Sequence, residues 1–144
     1  MIADTKKLNS TLEEALIYEH IKKIKELNKI VDRIWKETYA ESDIQSIQIQ
    51  CILQEQKNQE KSFYYEVQCL QKNEQPLFLK YFGSSGQKVL ACLVIRLALA
   101  EFFQLECQLF ALDEPTTHLD SVNSTSLAKY LHNLAKWKKN DKNF

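Results

Sequence analysis

Two adjacent carboxylates, Asp113 and Glu114, end a short apolar run, Leu109-Phe110-Ala111-Leu112. At the end of a buried strand such a pair suits nucleotide chemistry. The strand would hold Asp113 rigidly, so that it could bind Mg²⁺ directly or through water. Glu114 could then polarise an attacking water. By itself the pair fits equally well a buried strand followed by a solvated turn. A second candidate lies upstream, where Ser84-Ser85-Gly86-Gln87-Lys88 opens a long apolar run. Helix N-termini carry free N–H groups and a partial positive charge, which favour a phosphate. Ser84 adds a hydroxyl, and Gly86 lets the backbone approach closely. The same five residues also read as an ordinary helix start, with Ser84 or Ser85 as its N-cap. The two motifs in this order, with Pro115-Thr116-Thr117-His118-Leu119-Asp120 after the carboxylates, are far more specific than either alone.

In that order the motifs carry a resemblance. Ser84-Ser85-Gly86-Gln87 resembles the signature motif of ABC-type ATPases, Leu109 to Glu114 their Walker B, and Thr117-His118-Leu119-Asp120 their D-loop. The wording GQKVLACLVIRLALAE, then FALDEPTTHLD, is similar to the Rad50 branch, the SMC-like ATPases of the DNA double-strand-break repair complex. LNKIVDRIWKETYAESDIQSIQI resembles the coil exit and following strands of that branch, so the resemblance covers about residues 20 to 135. It implies an α/β fold: the C-terminal lobe of an ABC-type P-loop NTPase head, with a coiled-coil stump at about residues 1–40. The lobe would occupy 41–144, include a small antiparallel strand unit, and be incomplete at its C-terminus.

The resemblance also implies roles. ATP and Mg²⁺ would lie between two heads, with Asp113 holding the metal and Glu114 activating water. Ser84, Ser85, Gly86, Gln87 and Lys88 would bind the nucleotide of the other head, and Thr117 to Asp120 would line the shared interface. Lys88 and Arg96 fall where the branch has basic residues that link ATP engagement to movement of the coil. Implied partners are the N-terminal lobe of the same protein, a second head, the Mre11 nuclease and DNA, in the nucleus and in chromosome and telomere maintenance. The zinc of the family's hook lies outside this segment. Two residues depart from the pattern: Ser85, where the family prefers Gly or Ala, and His118, where Asn is usual. Another SMC-like chromosome ATPase, or a non-catalytic coiled-coil interaction module, are the alternative readings.

With 144 residues the chain is one domain with room for a real core. Nineteen basic and nineteen acidic residues balance, so no global field demands nucleic acid or a membrane. Lysines do cluster locally, at Lys22, Lys23, Lys25 and Lys29 and at Lys136, Lys138, Lys139 and Lys142; such runs are solvated faces more often than DNA sites. Cys51, Cys69, Cys92 and Cys107 form no C-x-x-C pair, so small buried thiols in a reducing compartment are expected. The longest apolar stretch, Val89 to Phe103, is broken by Arg96 and Glu101, which argues against a membrane span.

In chain order, residues 1 to about 38 read as one helix. Ile17, Ile21, Ile24, Asn28, Val31 and Trp35 step by four and three, the spacing of a coil seam in which an Asn would fix register. Ile47 to Leu53 and Phe63 to Cys69 alternate as two strands of a hairpin around a polar loop, Gln54 to Lys61. Lys72 to Pro76 reads as a turn and Leu77-Phe78-Leu79 as a third strand. Gly86 to about Phe103 is an apolar helix, Cys107 to Leu112 a buried central strand, and a last helix runs from Asp120 or Ser121 to about Trp137, before a polar tail. With only Gly83 and Gly86, the sequence holds no G-x-x-x-x-G-K-[ST] phosphate cradle. The chain by itself is therefore expected not to turn over ATP. Hydrolysis by purified chain with Mg²⁺ that disappears in Glu114→Gln would contradict this.

Overall fold

The computed structural model describes residues 2–41, 43–55, 61–71, 75–103 and 111–140. In order these form α1 (Ile2–Thr38), β1 (Ser46–Glu55), β2 (Lys61–Leu70), β3 (Leu77–Phe78), α2 (Leu79–Phe82), α3 (Ser85–Phe102) and α4 (Ser121–Asn140). The strands make one antiparallel sheet in the order β1-β2-β3. The expected α/β class therefore holds.

Helix α1 has neither Gly nor Pro in its 37 residues, and it behaves differently at its two ends. Leu8, Leu12, Leu16 and Ile21 are exposed, whereas Leu27, Val31, Ile34 and Trp35 are buried. The seam is thus an open stripe at the N-terminal end and core at the other. Its Asn28 faces the sheet. The Asn28 amide donates to the Ile49 carbonyl (2.9 Å) and accepts from the Ile49 N–H (2.8 Å). One side chain thereby pairs both backbone groups of a β1 residue and fastens the helix to the sheet.

Hairpin register follows the sequence alternation: Ile47 faces Cys69, Ile49 faces Val67, Cys51 faces Tyr65 and Leu53 faces Phe63. These residues share one face, because successive side chains on a strand point to opposite sides. At the far end of the hairpin, His20 of α1 stacks on Phe63 (4.2 Å between centroids) and its Nε2 lies 2.7 Å from the Tyr65 hydroxyl. Both strands run further than the alternation implied, so Gln54 and Lys61 belong to strands and not to the loop. Residues 56–60 and 72–74 lie outside the described residues. The third strand stops at Phe78, and Leu79 instead begins the single turn α2, where it is buried.

The core collects Trp35, Ile34 and Val31 of α1, Ile47 and Cys69 of the hairpin, Leu90, Leu93, Val94, Leu97 and Ala98 of α3, and Leu127 and Tyr130 of α4. Val89 and Ala100, expected inside, are half-buried. The strand expected at 107–112 falls mostly outside the described residues. Residues 104–110 lie outside the described residues, and Ala111 and Leu112 are in no strand, Ala111 being exposed. Helix α4 continues to Asn140, beyond the expected end at Trp137.

Of the cysteines, Cys69 is buried, with its thiol donating to the Leu77 carbonyl (3.2 Å). Cys51 is half-buried, and Cys92 is exposed, against the expectation of a buried thiol. Cys92 falls between the buried Ala91 and Leu93 and opens onto a groove shared with Tyr64 and Val67. Cys107 lies outside the described residues.

Replacing Asn28 separates the two readings of the seam. Asn28→Leu would strengthen a coil seam but leave the Ile49 backbone groups unpaired, at a cost of about 1–3 kcal/mol. Urea denaturation should show both Asn28→Leu and Asn28→Ala less stable than the parent. A leucine variant as stable as the parent would mean the strand bonds contribute nothing.

Candidate functional site

The first turn of α3 is held by a reciprocal cap. Ser84, in an extended conformation (φ −65°, ψ 166°), accepts the Gln87 N–H on its hydroxyl oxygen (3.2 Å). Gln87 Oε1 in turn accepts the Ser84 N–H (2.9 Å). Ser84, not Ser85, is thus the N-cap. Capping uses the hydroxyl as an acceptor only, so the exposed Ser84 retains its O–H donor for a ligand. The first-turn N–H groups of Ser85 and Gly86 have no acceptor within the helix. Capping and phosphate binding are therefore compatible in one residue.

Gly86 is required for a packing reason the sequence did not reveal. A Cβ at this position would lie 2.6 Å from the His118 carbonyl oxygen. The close approach that Gly86 permits is used by the D-loop-like turn of the same chain. That turn is compact: the Thr117 N–H donates to the Glu114 carbonyl (3.2 Å), and the Leu119 N–H to the Thr116 carbonyl (3.0 Å). Thr117 Oγ1 lies 3.1 Å from both the carbonyl and the carboxylate of Glu114. Glu114 has φ +39°, in the left-handed region that non-glycine residues seldom occupy. Leu119 packs against the core.

Asp120 begins α4. Its Oδ1 accepts the N–H groups of Val122 (2.8 Å) and Asn123 (2.9 Å), and its Oδ2 accepts from the Asn123 amide (2.5 Å). These bonds, the Asn123 N–H first, hold its carboxyl below the ordinary aspartate range. Asn123, almost fully buried, passes the connection on by accepting the Ala40 N–H on Oδ1 (2.9 Å).

Gln87 makes a second set of bonds. Its Nε2 donates to the Tyr39 hydroxyl and to Asp43 Oδ2, both at 2.9 Å. The Tyr39 hydroxyl donates to Asp43 Oδ1 (2.5 Å), with Glu41 Oε2 3.0 Å away. Burial first, and then Asp43, push the Tyr39 hydroxyl pKa far up, so it stays a protonated donor. Its ring stacks on Trp35 (4.5 Å between centroids). Sequence reasoning missed Tyr39, Asp43 and Asn123. One signal was available, since Tyr39 continues the four-residue step from Val31 through Trp35.

These turns enclose a cavity of about 210 Å³ whose walls include Ser84, Gly86, Gln87, His118, Asp120 and Tyr39. The structure thus brings the signature-like and D-loop-like residues together. Asp113 and Glu114 are exposed and do not line this cavity. Lys88 is also separate from Ser84 to Gln87: with Arg96, two turns along α3, it lines another groove of about 420 Å³ against Tyr64, Val67 and Ile95. Among the described residues no group of three or more His, Cys, Asp or Glu could hold a metal, and no helix is long and apolar enough to cross a membrane. Asp113 is exposed, beside the Glu114 carboxylate.

A signature-like turn, an Asp-Glu pair and a D-loop-like turn thus lie on a unit led by a long helix. The curated relatives are the DNA repair protein Rad50. The chain is 41% identical over 141 residues to that of Schizosaccharomyces pombe, which covers 98% of this chain and 11% of the relative. It is 41% identical over 136 residues to that of Saccharomyces cerevisiae, covering 94% of this chain and 10% of the relative. For Dictyostelium discoideum the figures are 42% over 141 residues, 98% and 10%. Over nearly all its residues, then, this chain matches a C-terminal segment of Rad50, and it spans about a tenth of the length of those relatives. No family model matches the chain.

Asp120 offers a test of the cap that closes this site. Its lowered pKa means the stability it adds is complete above the ordinary aspartate value near 3.8 and is lost as pH falls through the lower folded value. Parent and Asp120→Ala should therefore differ in melting temperature at neutral pH and converge as pH drops below about 3.8. A difference independent of pH would mean that the Asp120 charge does not cap α4.

Proposed function

We propose that this chain serves as the C-terminal half of a Rad50-type ATPase head in DNA double-strand-break repair, acting when joined to an N-terminal lobe that brings the P-loop. The observation that carries this reading is the separation of two half-sites in one chain. Ser84 to Gln87 share a cavity with His118 and Asp120, while Asp113 and Glu114 lie outside it. A chain built so suits a nucleotide sandwiched between two heads, each contributing a different half-site.

In this reading the Ser84 hydroxyl and the first-turn N–H groups of Ser85 and Gly86 meet the γ-phosphate of ATP bound to the second head. Asp113 would hold Mg²⁺, which neutralises charge developing on the phosphates. Glu114 accepts the proton of the attacking water, and its tether to Thr117 fixes the carboxylate at the edge of the interface. Asp120 and the rest of the turn from Thr117 lie against that interface. Lys88 and Arg96, on the opposite groove, relay engagement to the coil. The exposed stripe of Leu8, Leu12, Leu16 and Ile21 on α1 supports a helical partner, as a coil requires. Engagement and release would control the Mre11 nuclease on DNA, in the nucleus.

Ser84→Arg tests the sandwich. In a head assembled from this chain and the N-terminal lobe, the arginine fills the interface and removes the hydroxyl contact. ATP binding to a single head should survive, while ATP-dependent dimerisation and hydrolysis fail. Mixing this head with one whose P-loop lysine is replaced leaves one intact composite site, so some hydrolysis should return. Normal ATP-dependent dimers of the Ser84→Arg head would rule out action in trans. So would mixed dimers that form but do not hydrolyse.

A further inference from the structure

The short segment after α1 touches both motif-bearing turns. Tyr39 and Asp43 bond the Gln87 amide, and the Ala40 N–H bonds Asn123, which in turn holds Asp120. Gly86 and the His118 carbonyl close the other side. The result is a closed ring of contacts around the 210 Å³ cavity.

One part of this ring dictates orientation. A carboxylate can only accept hydrogen bonds, so Asp43 forces the NH₂ end of the Gln87 amide toward itself. The carbonyl end must then face the Ser84 N–H, which is the orientation the cap needs. A flipped amide would place a donor against a donor and open the cap. Tyr39 reinforces the choice from a rigid base: it is 6% exposed, stacked on a fully buried Trp35, and its own hydroxyl hydrogen is committed to Asp43. The free rotation of a glutamine side chain is thereby removed before any ligand arrives.

We propose that Tyr39 and Asp43 are positioning residues: by fixing the Gln87 amide they hold Ser84 and the first turn of α3 in the geometry that receives a phosphate group. The proposal rests on the nucleotide reading above. It predicts a repairable defect. Gln87→Glu sets a carboxylate against Asp43, whereas adding Asp43→Asn gives that carboxylate a donor again. Both residues lie at the surface end of the ring, so the pair tests positioning without disturbing the core.

Two measurements separate this proposal from the reading beneath it. In the chain itself, repulsion from Asp43 should draw the introduced carboxylate off the Ser84 N–H, and amide exchange followed by NMR should then show that N–H exchanging about tenfold faster in Gln87→Glu, the scale of one lost hydrogen bond. The double variant should return close to the parent rate. In the assembled head, the ATP concentration that drives dimerisation should rise about tenfold in Gln87→Glu and recover in the double variant, by the same bond's worth of free energy. Nucleotide binding to a single head should stay unchanged throughout. A merely structural contact would lower the melting temperature without shifting that ATP dependence. The proposal is overturned if the second substitution restores neither measurement. It is also overturned if Ser84 exchange accelerates while dimerisation is unaffected. A parent head that does not dimerise with ATP would sink the nucleotide reading and the phosphate role with it, while the exchange data would still decide whether the ring orients Gln87.

Discussion

The structure depends on the burial of Trp35. This side chain is fully enclosed at the end of a helix whose other end stands in solvent. Burying an indole requires a partner for its N–H, and the Ile44 carbonyl supplies it at 3.2 Å. That bond turns the chain back just after α1 and starts the sheet on the correct side of the helix. The Thr38 hydroxyl, also buried, is satisfied by the Ile34 carbonyl (2.8 Å), so the last turn of α1 enters the core with its polar groups paired. Hairpin, α3 and α4 then pack around the same point. The exposed ion pair of Arg33 with Glu101, in which Nη2 alone reaches both carboxylate oxygens at 2.5 and 2.7 Å, spans α1 and α3 but adds little energy beside this burial.

Where the sequence could be read, local periodicity carried the information. Ile47 to Leu53 and Phe63 to Cys69 alternate because one face of the hairpin turns to the core at its Ile47 and Cys69 end, and the observed register pairs those residues. The apolar pattern of α3 likewise marked Leu90, Leu93, Val94, Leu97 and Ala98 as core. The failures share a cause. Asn28 looks like a seam residue because periodicity records its helix position and not the strand, 21 residues away, that it binds. Tyr39 and Gln87 are 48 residues apart and Ala40 and Asn123 are 83 apart, so no window along the chain contains either contact. Cys92 was misjudged because α3 is apolar on most sides, which hides the single face that remains open.

The site was legible as words and not as geometry. Ser84, Gly86 and Gln87 were marked for a phosphate, yet each first serves a contact within the chain: a cap, a close backbone passage and an amide bridge. These duties do not compete. A hydroxyl that accepts one hydrogen bond still donates another, and a helix turn that is capped keeps its outward N–H groups. The intrachain contacts are what make the outward-facing groups stationary.

The double bond between Asn28 and Ile49 also has a mechanical side. It clamps α1 to the sheet at one station, and from there the helix runs back to Ile2 over about 40 Å at roughly 1.5 Å per residue. Beyond His20 none of the sheet contacts described above supports it. The arm from His20 to Ile2, about 27 Å at roughly 1.5 Å per residue, is therefore a cantilever rooted on the hairpin. A tilt of about 5° at the root would sweep the far end through about 2 Å over such a length. The same ratio works in reverse: a load applied near Leu8 reaches the root multiplied by the length of the arm.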